Sequence, residues 1–218
     1  MTTVAGIDEA GRGCVIGPLV IAGAMFDEKD LDKLKKMGVK DSKLLKPEKR
    51  EELYPKIKAL AKDSVVLKVS AKHIDELRAA KVNLNRIEAE HMAQIIKALA
   101  PDIAQVDAPQ VSTDKFKAIL LELAKNHTEI IAENYADKKY VSVGAASILA
   151  KVERDREIEE IKKKVGVDFG VGYPHDERTI KFVEKCLKEK KHLEYIRHSW
   201  MTVTNMQAKK KQKSLGEY

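Results

Sequence analysis

The chain has 218 residues, 44% of them hydrophobic and 34% charged. This composition is typical of a globular protein and argues against a disordered or fibrous one. The length suits one domain with an appendage better than two full domains. Lys and Arg number 41 against 34 Asp and Glu, a formal charge of +7, which favours a polyanionic partner such as nucleic acid, although many basic proteins bind none.

The two cysteines, Cys14 and Cys186, are far apart and lack the Cys and His spacing of a zinc site. They are interpreted as free thiols in a reducing cytoplasm. The longest apolar run, residues 15–26, is interrupted by glycine and proline, and no secretory signal precedes it. We therefore expect a cytoplasmic monomer with no membrane contact.

The chain opens as sheet. Thr3–Ile7 and Val15–Phe26 are predicted to pair across a glycine-rich turn, and Ser64–Val69 is a further strand. Helical patterns then dominate, with bounds at Glu28–Met37, Pro47–Ala61, Ala71–Ala80 and Leu84–Ala100. Pro47 suits the first turn of its helix, and Pro55 is expected to kink or end that helix.

Two short strands, Ile103–Val106 and Glu129–Ala132, flank an amphipathic helix at Thr113–Lys125. This alternation predicts an α/β fold with helices over a central sheet. A long helix is predicted from Ser142 to Lys164, with a buried first half. After a sharp turn, Glu177–Lys190 begins a smaller helical C-terminal part.

Asp8 and Glu9 end the first strand, directly before the turn that contains Gly11, Arg12 and Gly13. Paired carboxylates can hold divalent cations, and glycine lets backbone N–H groups approach a ligand. The plainer alternative is a strand, a turn and solvated charge. Adjacent strand residues point to opposite faces, so both carboxylates reach one site only if the strand ends or twists there.

Two more carboxylates follow predicted strands: Asp107 ends one, and Asp137 comes shortly after the next. Each alone suits a solvated turn or a helix cap. Carboxylates at the ends of neighbouring strands can also converge, and with Asp8 and Glu9 they form a candidate four-carboxylate site. Such oxygen ligands fit magnesium or manganese, whereas zinc favours nitrogen or sulfur.

Six motifs occur in this order: GIDEAGRG at 6–13, KDSK at 40–43, DA at 107–108, ADKKY at 136–140, AASILAKVERD at 145–155 and GVGYP at 170–174. Their combination resembles ribonuclease HII, in the single-chain form of its archaeal branch, and the resemblance extends over most of the chain.

The resemblance implies a ribonuclease H-like fold, in which helices flank a central mixed sheet. It also implies a catalytic domain at 1–168, a helical C-terminal substrate-binding region at 169–206 and a basic tail at 207–218. It implies an endoribonuclease that cleaves the RNA strand of RNA/DNA hybrids and incises duplex DNA at embedded ribonucleotides. Two Mn²⁺ or Mg²⁺ ions would assist the hydrolysis, which leaves 5′-phosphate and 3′-hydroxyl ends.

By matching position, the resemblance implies that the catalytic metal ligands are Asp8, Glu9, Asp107 and Asp137. It also implies that the ribonucleotide is recognised by Gly11, Arg12, Gly13 and Tyr173. The Tyr173 ring would lie on the sugar next to the 2′-hydroxyl, the group that distinguishes RNA from DNA. Without the resemblance, Tyr173 is interpreted as a packing residue in a Gly-Pro turn.

Lys43, Ser147 and Lys151 are candidates for contacts with substrate phosphates, and their plain alternatives are surface lysines and a helix serine. The chain departs from the family pattern at Cys14, where proline is common, and at His175. His175 is a candidate for substrate contact because it lies near Tyr173, and the favoured alternative is an exposed histidine in a turn. Val141 and Gly144 also replace common residues. Arg197 and Trp200 are weaker candidates for substrate contact, and a role in the core is favoured for Trp200.

The basic tail at 207–218 is too polar to fold alone. Gln212, Leu215 and Tyr218 are spaced like a sliding-clamp-binding peptide, although the usual second aromatic is missing. The alternative is a disordered tail that is loosely attracted to phosphate.

Two rival functions remain open from the sequence. A glycosidase also uses paired carboxylates, but the basic surface and the lack of aromatic platforms argue against it. A non-catalytic hybrid-binding or clamp-tethered protein would keep the basic face and need no acidic cluster.

Overall fold

The computed structural model describes residues 1–39, 45–109 and 112–215, with side chains of the last helix described as far as Ala208. The chain forms two compact units. The first comprises residues 1–10, 20–68 and 85–153. The second comprises residues 11–19 and 69–84 together with the chain from Arg154 onward.

A five-stranded sheet forms the centre of the first unit. Its strands are β1 (Thr3–Ala10), β2 (Leu19–Asp27), β3 (Asp63–Val69), β4 (Ile103–Asp107) and β5 (Glu129–Glu133). The spatial order is β3-β2-β1-β4-β5. β1 pairs antiparallel with β2 and parallel with β4, and β4 pairs parallel with β5, so the sheet is mixed, as predicted.

Helices cover both faces of this sheet. Those of the first unit are α1 (Leu31–Lys36), α2 (Pro47–Leu60), α4 (Leu84–Leu99), α5 (Thr113–Ala124), α6 (Ala136–Lys139) and the first half of α7 (Val141–Val165). A Cβ built on Gly23 would meet Ile95 of α4, and one on Gly6 would meet the backbone of Ser142 of α7. Gly6 pairs with Ala24, next to Gly23, so these two helices lie on opposite faces.

The face of the sheet that contacts α7 carries the main core of the first unit. Apolar side chains of β2, α1, α2 and α7 pack there, among them Phe26, Leu53, Ile57, Ile148 and Leu149. Because the first half of α7 is apolar, it is buried against this face, as predicted.

The second unit is mainly helical. It contains α3 (Ala71–Ala79), the second half of α7, α8 (Glu177–Glu189) and α9 (Met201–Leu215), with a short 3₁₀ turn at Leu193–Tyr195. Its core gathers the buried residues Val15, Ile16, Ile158, Ile161, Phe169, Phe182, Val183, Cys186, Ile196 and Val203.

Most predicted elements are confirmed to within a residue or two, with four corrections. β1 continues to Ala10, three residues beyond the predicted end at Ile7, because its pairing with β2 extends that far. β2 begins at Leu19, not Val15, because Gly17 has φ +89° and Pro18 follows it. Val15 and Ile16 instead join the core of the second unit. Pro55 lies inside α2 and does not end it. The predicted helix at 28–37 is a 3₁₀ turn, Glu28–Asp30, followed by the short α1.

α9 continues through residues 207–215, where the sequence predicts the start of a basic tail. No helix within residues 1–39, 45–109 and 112–215 combines the length and apolar character needed to cross a bilayer.

Candidate active site

Asp8 lies inside β1 and is only 3% exposed. The parallel strands β1 and β4 pair as far as Ile7 and Val106. Asp8 directly follows Ile7, and Asp107 directly follows Val106. Residues in register on adjacent strands share a face and lie about 4.8 Å apart. The two carboxylates therefore project side by side from the face of the sheet that contacts α7.

Asp137 is carried to the same edge by the short helix α6. The Oδ1 atom of Asp107 accepts a hydrogen bond of 2.7 Å from the backbone N–H of Ala136, which fixes the start of α6. Asp137 is 3% exposed, and its negative charge acts on Asp8. Three of the predicted carboxylates, Asp8, Asp107 and Asp137, thus lie at the same end of the central strands.

Glu9 differs from these three. β1 continues through Ala10, so the strand does not end between Asp8 and Glu9, and strand alternation directs Glu9 to the opposite face. Within residues 1–39, 45–109 and 112–215, no three His, Cys, Asp or Glu side chains are close enough together to hold a metal ion. A metal site of four carboxylates therefore stays a prediction.

Ser147 and Lys151 reach Asp8 from α7. The Lys151 ammonium donates a 2.6 Å hydrogen bond to Ser147 Oγ, and the Ser147 side chain is hydrogen-bonded to Asp8. Burial raises the pKa of the Asp8 carboxyl, and the negative charge of Asp137 adds to this, while Lys151, Ser147 and the Glu9 N–H oppose it. Desolvation is the largest of these effects.

The donor chemistry fits a hard divalent cation. Asp8, Asp107 and Asp137 offer only carboxylate oxygens, the ligands that Mg²⁺ and Mn²⁺ prefer. A buried carboxylate with a raised pKa is stabilised as the anion when a cation binds beside it.

The second unit holds the glycine-rich turn and Tyr173. The Cys14 N–H donates to the Gly11 carbonyl at 3.2 Å. Gly11 has φ +83°, and a Cβ there would lie 2.7 Å from the Pro18 carbonyl oxygen, so only glycine fits. A Cβ on Gly13 would lie 3.8 Å from the Tyr173 ring. Gly13, one of the predicted contact residues of the turn, is thus a neighbour of Tyr173.

Arg154 orients the Tyr173 ring, a role that sequence reasoning missed. Its guanidinium carbon lies 4.6 Å from the centre of the Tyr173 ring. Its Nη2 donates to Cys14 Sγ at 2.9 Å and also to the Val171 carbonyl. Burial, with the Cys14 thiol, raises the pKa of Tyr173 to about 12, so the phenol stays neutral.

Arg197 supports the turn from the other side. It is fully buried, and its guanidinium donates to the Gly17 and Arg12 carbonyls, each at 3.0 Å. Burial lowers its pKa to about 10. Arg197 is only a weak candidate from the sequence, since no spacing pattern marks an arginine that binds backbone carbonyls.

A cavity of about 360 Å³ opens beside this turn, within the second unit. Its lining residues are Arg12, Gly13, Arg78, Leu84, Ser199, Trp200 and Met201. The Arg78 guanidinium carbon lies 5.9 Å from the centre of the Trp200 ring. Trp200 therefore lines a cationic cavity in addition to packing partly against the core.

The remaining predicted residues are His175, Lys43 and those of the C-terminal segment. His175 is exposed, and its ring stacks on Tyr173 with 5.5 Å between the ring centres. Lys43 and Tyr218 lie outside the described residues, and the side chains of Gln212 and Leu215 lie beyond the last described one.

Solved structures share this fold. The crystal structure of ribonuclease H2 from Pyrococcus horikoshii OT3 has a TM-score of 0.88 and 41% identity, and the match covers 95% of this chain and 98% of that one. A structure of Bst-RNase HIII in complex with Mn²⁺ has a TM-score of 0.81 at 22% identity, covering 97% of this chain and 71% of that one, a likeness of fold alone. The molecule is thus a nuclease-type α/β protein with the predicted ribonuclease H-like fold.

Sequence comparison identifies the family. Residues 5–203 match the family model of ribonuclease HII. The ribonuclease HII of Archaeoglobus fulgidus is 47% identical over 205 residues, which are 94% of this chain and 97% of that relative. A structure of the PCNA:RNase HII complex from that organism has a TM-score of 0.84 at 46% identity, covering 91% of this chain and 95% of that one.

The chain belongs to the ribonuclease HII family. It is an endonuclease of the ribonuclease H type, a hydrolase. The predicted family and enzyme class are confirmed.

Proposed function

We propose that this endonuclease cleaves the RNA strand of RNA/DNA hybrids and incises duplex DNA at embedded ribonucleotides, leaving 5′-phosphate and 3′-hydroxyl ends. Asp8, Glu9, Asp107 and Asp137 are the proposed metal ligands. The observation that supports this most is the position of Asp8 and Asp107, which directly follow the last paired residues, Ile7 and Val106, of adjacent parallel strands. Asp137 acts electrostatically on Asp8.

Divalent metal dependence is expected of the family. We propose that two ions bind, either Mn²⁺ or Mg²⁺. When bound, the two cations supply charge neutralisation at the phosphate and activation of the attacking water. The carboxylates would bind the two cations, because neighbouring negative side chains repel one another and a bound cation removes that repulsion. Glu9 would reach such a site only after a local change in β1 or through water.

Ribonucleotide recognition is proposed for Gly11, Arg12, Gly13 and Tyr173. The 2′-hydroxyl can donate and accept a hydrogen bond, so backbone groups exposed by glycine can read it without reading base sequence. Arg154 holds the Tyr173 ring, and a ring held in this way could contact a sugar. The cavity that contains Arg12 and Arg78 is proposed to contact a backbone phosphate.

One assay tests the catalytic proposal. A labelled duplex with one ribonucleotide is incubated with and without Mn²⁺ and with Asp8→Asn, Asp107→Asn and Glu122→Gln variants. The two Asp variants should lose cleavage by at least about 10³-fold. Glu122→Gln, an exposed carboxylate on α5, should match the wild type. Cleavage retained by both Asp variants would contradict the metal-ion mechanism. If the wild type binds the duplex but leaves it intact, the protein is a non-catalytic binder.

Sugar reading is tested at Tyr173. Tyr173→Ala should reduce cleavage at a single ribonucleotide more than it reduces duplex binding, whereas Tyr173→Phe keeps the ring and should retain most activity. Equal losses of cleavage and binding in Tyr173→Ala would assign Tyr173 to general packing.

Binding to a sliding clamp is proposed for the C-terminal segment. The support is the spacing of Gln212, Leu215 and Tyr218 and the PCNA complex of the Archaeoglobus fulgidus relative. Replacing all three residues with alanine should abolish binding to immobilised clamp and leave cleavage without clamp unchanged. Retained clamp binding would exclude this segment.

The remaining proposals concern the organisation of the chain. Residues 1–168 would form the catalytic region, residues 169–206 would contact substrate, and residues 207–218 would form the basic tail. The enzyme would act as a monomer in the cytoplasm.

A further inference from the structure

Ser147 lies between Lys151 and Asp8, a buried candidate metal ligand. Its side chain has no exposed surface. Lys151, one turn later on α7, donates to Ser147 Oγ at 2.6 Å, and Ser147 is also hydrogen-bonded to Asp8. All three residues belong to the first unit.

The chemistry of these groups fixes the direction of both hydrogen bonds. An ammonium has three donors and no acceptor, so Ser147 Oγ must accept from Lys151. An ionised carboxylate only accepts, so the Ser147 hydroxyl hydrogen must point at Asp8. The order of donation is therefore from Lys151 to Ser147 to Asp8, and Lys151 determines where the serine hydrogen points.

The Asp8 carboxylate is held at a second point on its own strand. Its Oδ1 accepts a 2.7 Å hydrogen bond from the Glu9 N–H. A carboxylate held by a backbone N–H and by an oriented hydroxyl has one preferred rotamer, and the lone pairs that these bonds leave open can face a cation.

We propose that Ser147 is a positioning residue that orients Asp8 for metal binding and that Lys151 fixes the direction of the Ser147 hydroxyl. This role differs from the phosphate contact that the family resemblance suggests for Ser147, since the buried hydroxyl is engaged by Lys151 and Asp8. The inference rests on the proposed function of Asp8 as a metal ligand.

The chain offers a matched control on the same helix. Ser142 is also fully buried, and its hydroxyl is hydrogen-bonded to the Gln105 side chain, with no carboxylate involved. Ser142→Ala and Ser147→Ala remove the same atom from α7. They differ in whether that atom contacts a candidate metal ligand.

The test is titration calorimetry of Mn²⁺ into the intact chain without nucleic acid, with thermal unfolding to verify that each variant is folded. Ser147→Ala should raise the Mn²⁺ Kd about 10-fold or more, the usual effect of losing a hydrogen bond to a metal ligand. Ser142→Ala should leave the Kd within about twofold of the wild type. Equal Kd values for the two variants would overturn the proposal.

A double-mutant cycle tests the part played by Lys151. Without its ammonium the Ser147 hydroxyl is free to rotate, so Ser147→Ala should cost less in a Lys151→Met background than in the wild type. Additive effects would remove Lys151 from the proposal. If Asp8→Asn binds Mn²⁺ as tightly as the wild type, the metal role of Asp8 itself fails, and that outcome is distinct from either result at Ser147.

Discussion

Burial of the Asp8 carboxylate lowers the free energy of unfolding of the metal-free protein at neutral pH. Burial raises its pKa above the ordinary value of 3.8, and this outweighs the opposing effects of Lys151 and Ser147. The unfolded chain therefore loses the Asp8 proton at lower pH than the folded chain does. The resulting penalty is absent below about pH 4, where both states are protonated, and grows as the pH rises through the folded-state pKa.

Asp8→Asn should therefore stabilise the metal-free protein at pH 7. A gain of about 1 kcal/mol corresponds to a Tm increase of about 2–4 °C for a chain of this size. The gain should vanish near pH 4, and Mn²⁺ should raise the Tm of the wild type but not of the variant. Thermal unfolding followed by circular dichroism measures all three effects. A lower Tm for metal-free Asp8→Asn at pH 7 would contradict this account.

The sequence located Asp8 and Asp107 on neighbouring strands, although it placed the end of β1 too early, at Ile7 instead of Ala10. The two residues still lie side by side, because the parallel pairing of β1 with β4 brings them to the same level. Arg154 and Arg197 could not be assigned their roles. Each acts by donating to backbone carbonyls far away in sequence, Val171 in one case and Gly17 and Arg12 in the other. No periodicity encodes such contacts.

At the scale of elements, the close approach of β1 to α7 holds Asp8 next to Ser147. Gly6 makes this approach possible, since a Cβ there would lie 2.0 Å from the Ser142 carbonyl carbon and 2.1 Å from its oxygen. Both atoms belong to the backbone of a long helix. They cannot move aside as the end of a flexible side chain would.

Gly6→Ala should therefore destabilise the protein by about 3 kcal/mol or more, the upper range for overpacking a core. Gly38→Ala is the control, because Gly38 has φ +86° and no atom within 4 Å of a built Cβ. Only the backbone conformation opposes that change, at about 1–2 kcal/mol. Urea unfolding measures both values. A smaller loss for Gly6→Ala than for Gly38→Ala would show that β1 and α7 are not in such close contact.

Element prediction failed where tertiary packing outweighed local preference. Pro55 removes one N–H from α2, yet the helix continues because Leu53 and Ile57 are buried on its inner face. The apolar run from Val15 looks like a single strand, but Gly17 with φ +89° divides it between two cores. Local propensity cannot show which core an apolar residue joins.

At the scale of the whole molecule, the net charge of +7 is unevenly spread along the chain. Residues 201–216 include Lys209, Lys210, Lys211 and Lys213 and no acidic residue. Elsewhere many lysines are already paired with carboxylates, for example Lys56 with Glu52, Lys163 with Glu160 and Lys181 with Glu177. A lysine paired with a carboxylate releases fewer counterions from DNA. We therefore expect the segment without acidic residues to contribute more to duplex binding.

Two triple variants with equal charge change separate local contacts from net charge. In one, Lys209, Lys210 and Lys211 become glutamine; in the other, Lys56, Lys163 and Lys181 do. For binding to an all-DNA duplex, the slope of log affinity against log salt concentration should become shallower by about 0.9 for each lost phosphate contact. The first variant should show this change and the second should not, as measured by fluorescence anisotropy across a salt series. Equal slopes would mean that net charge alone governs duplex binding.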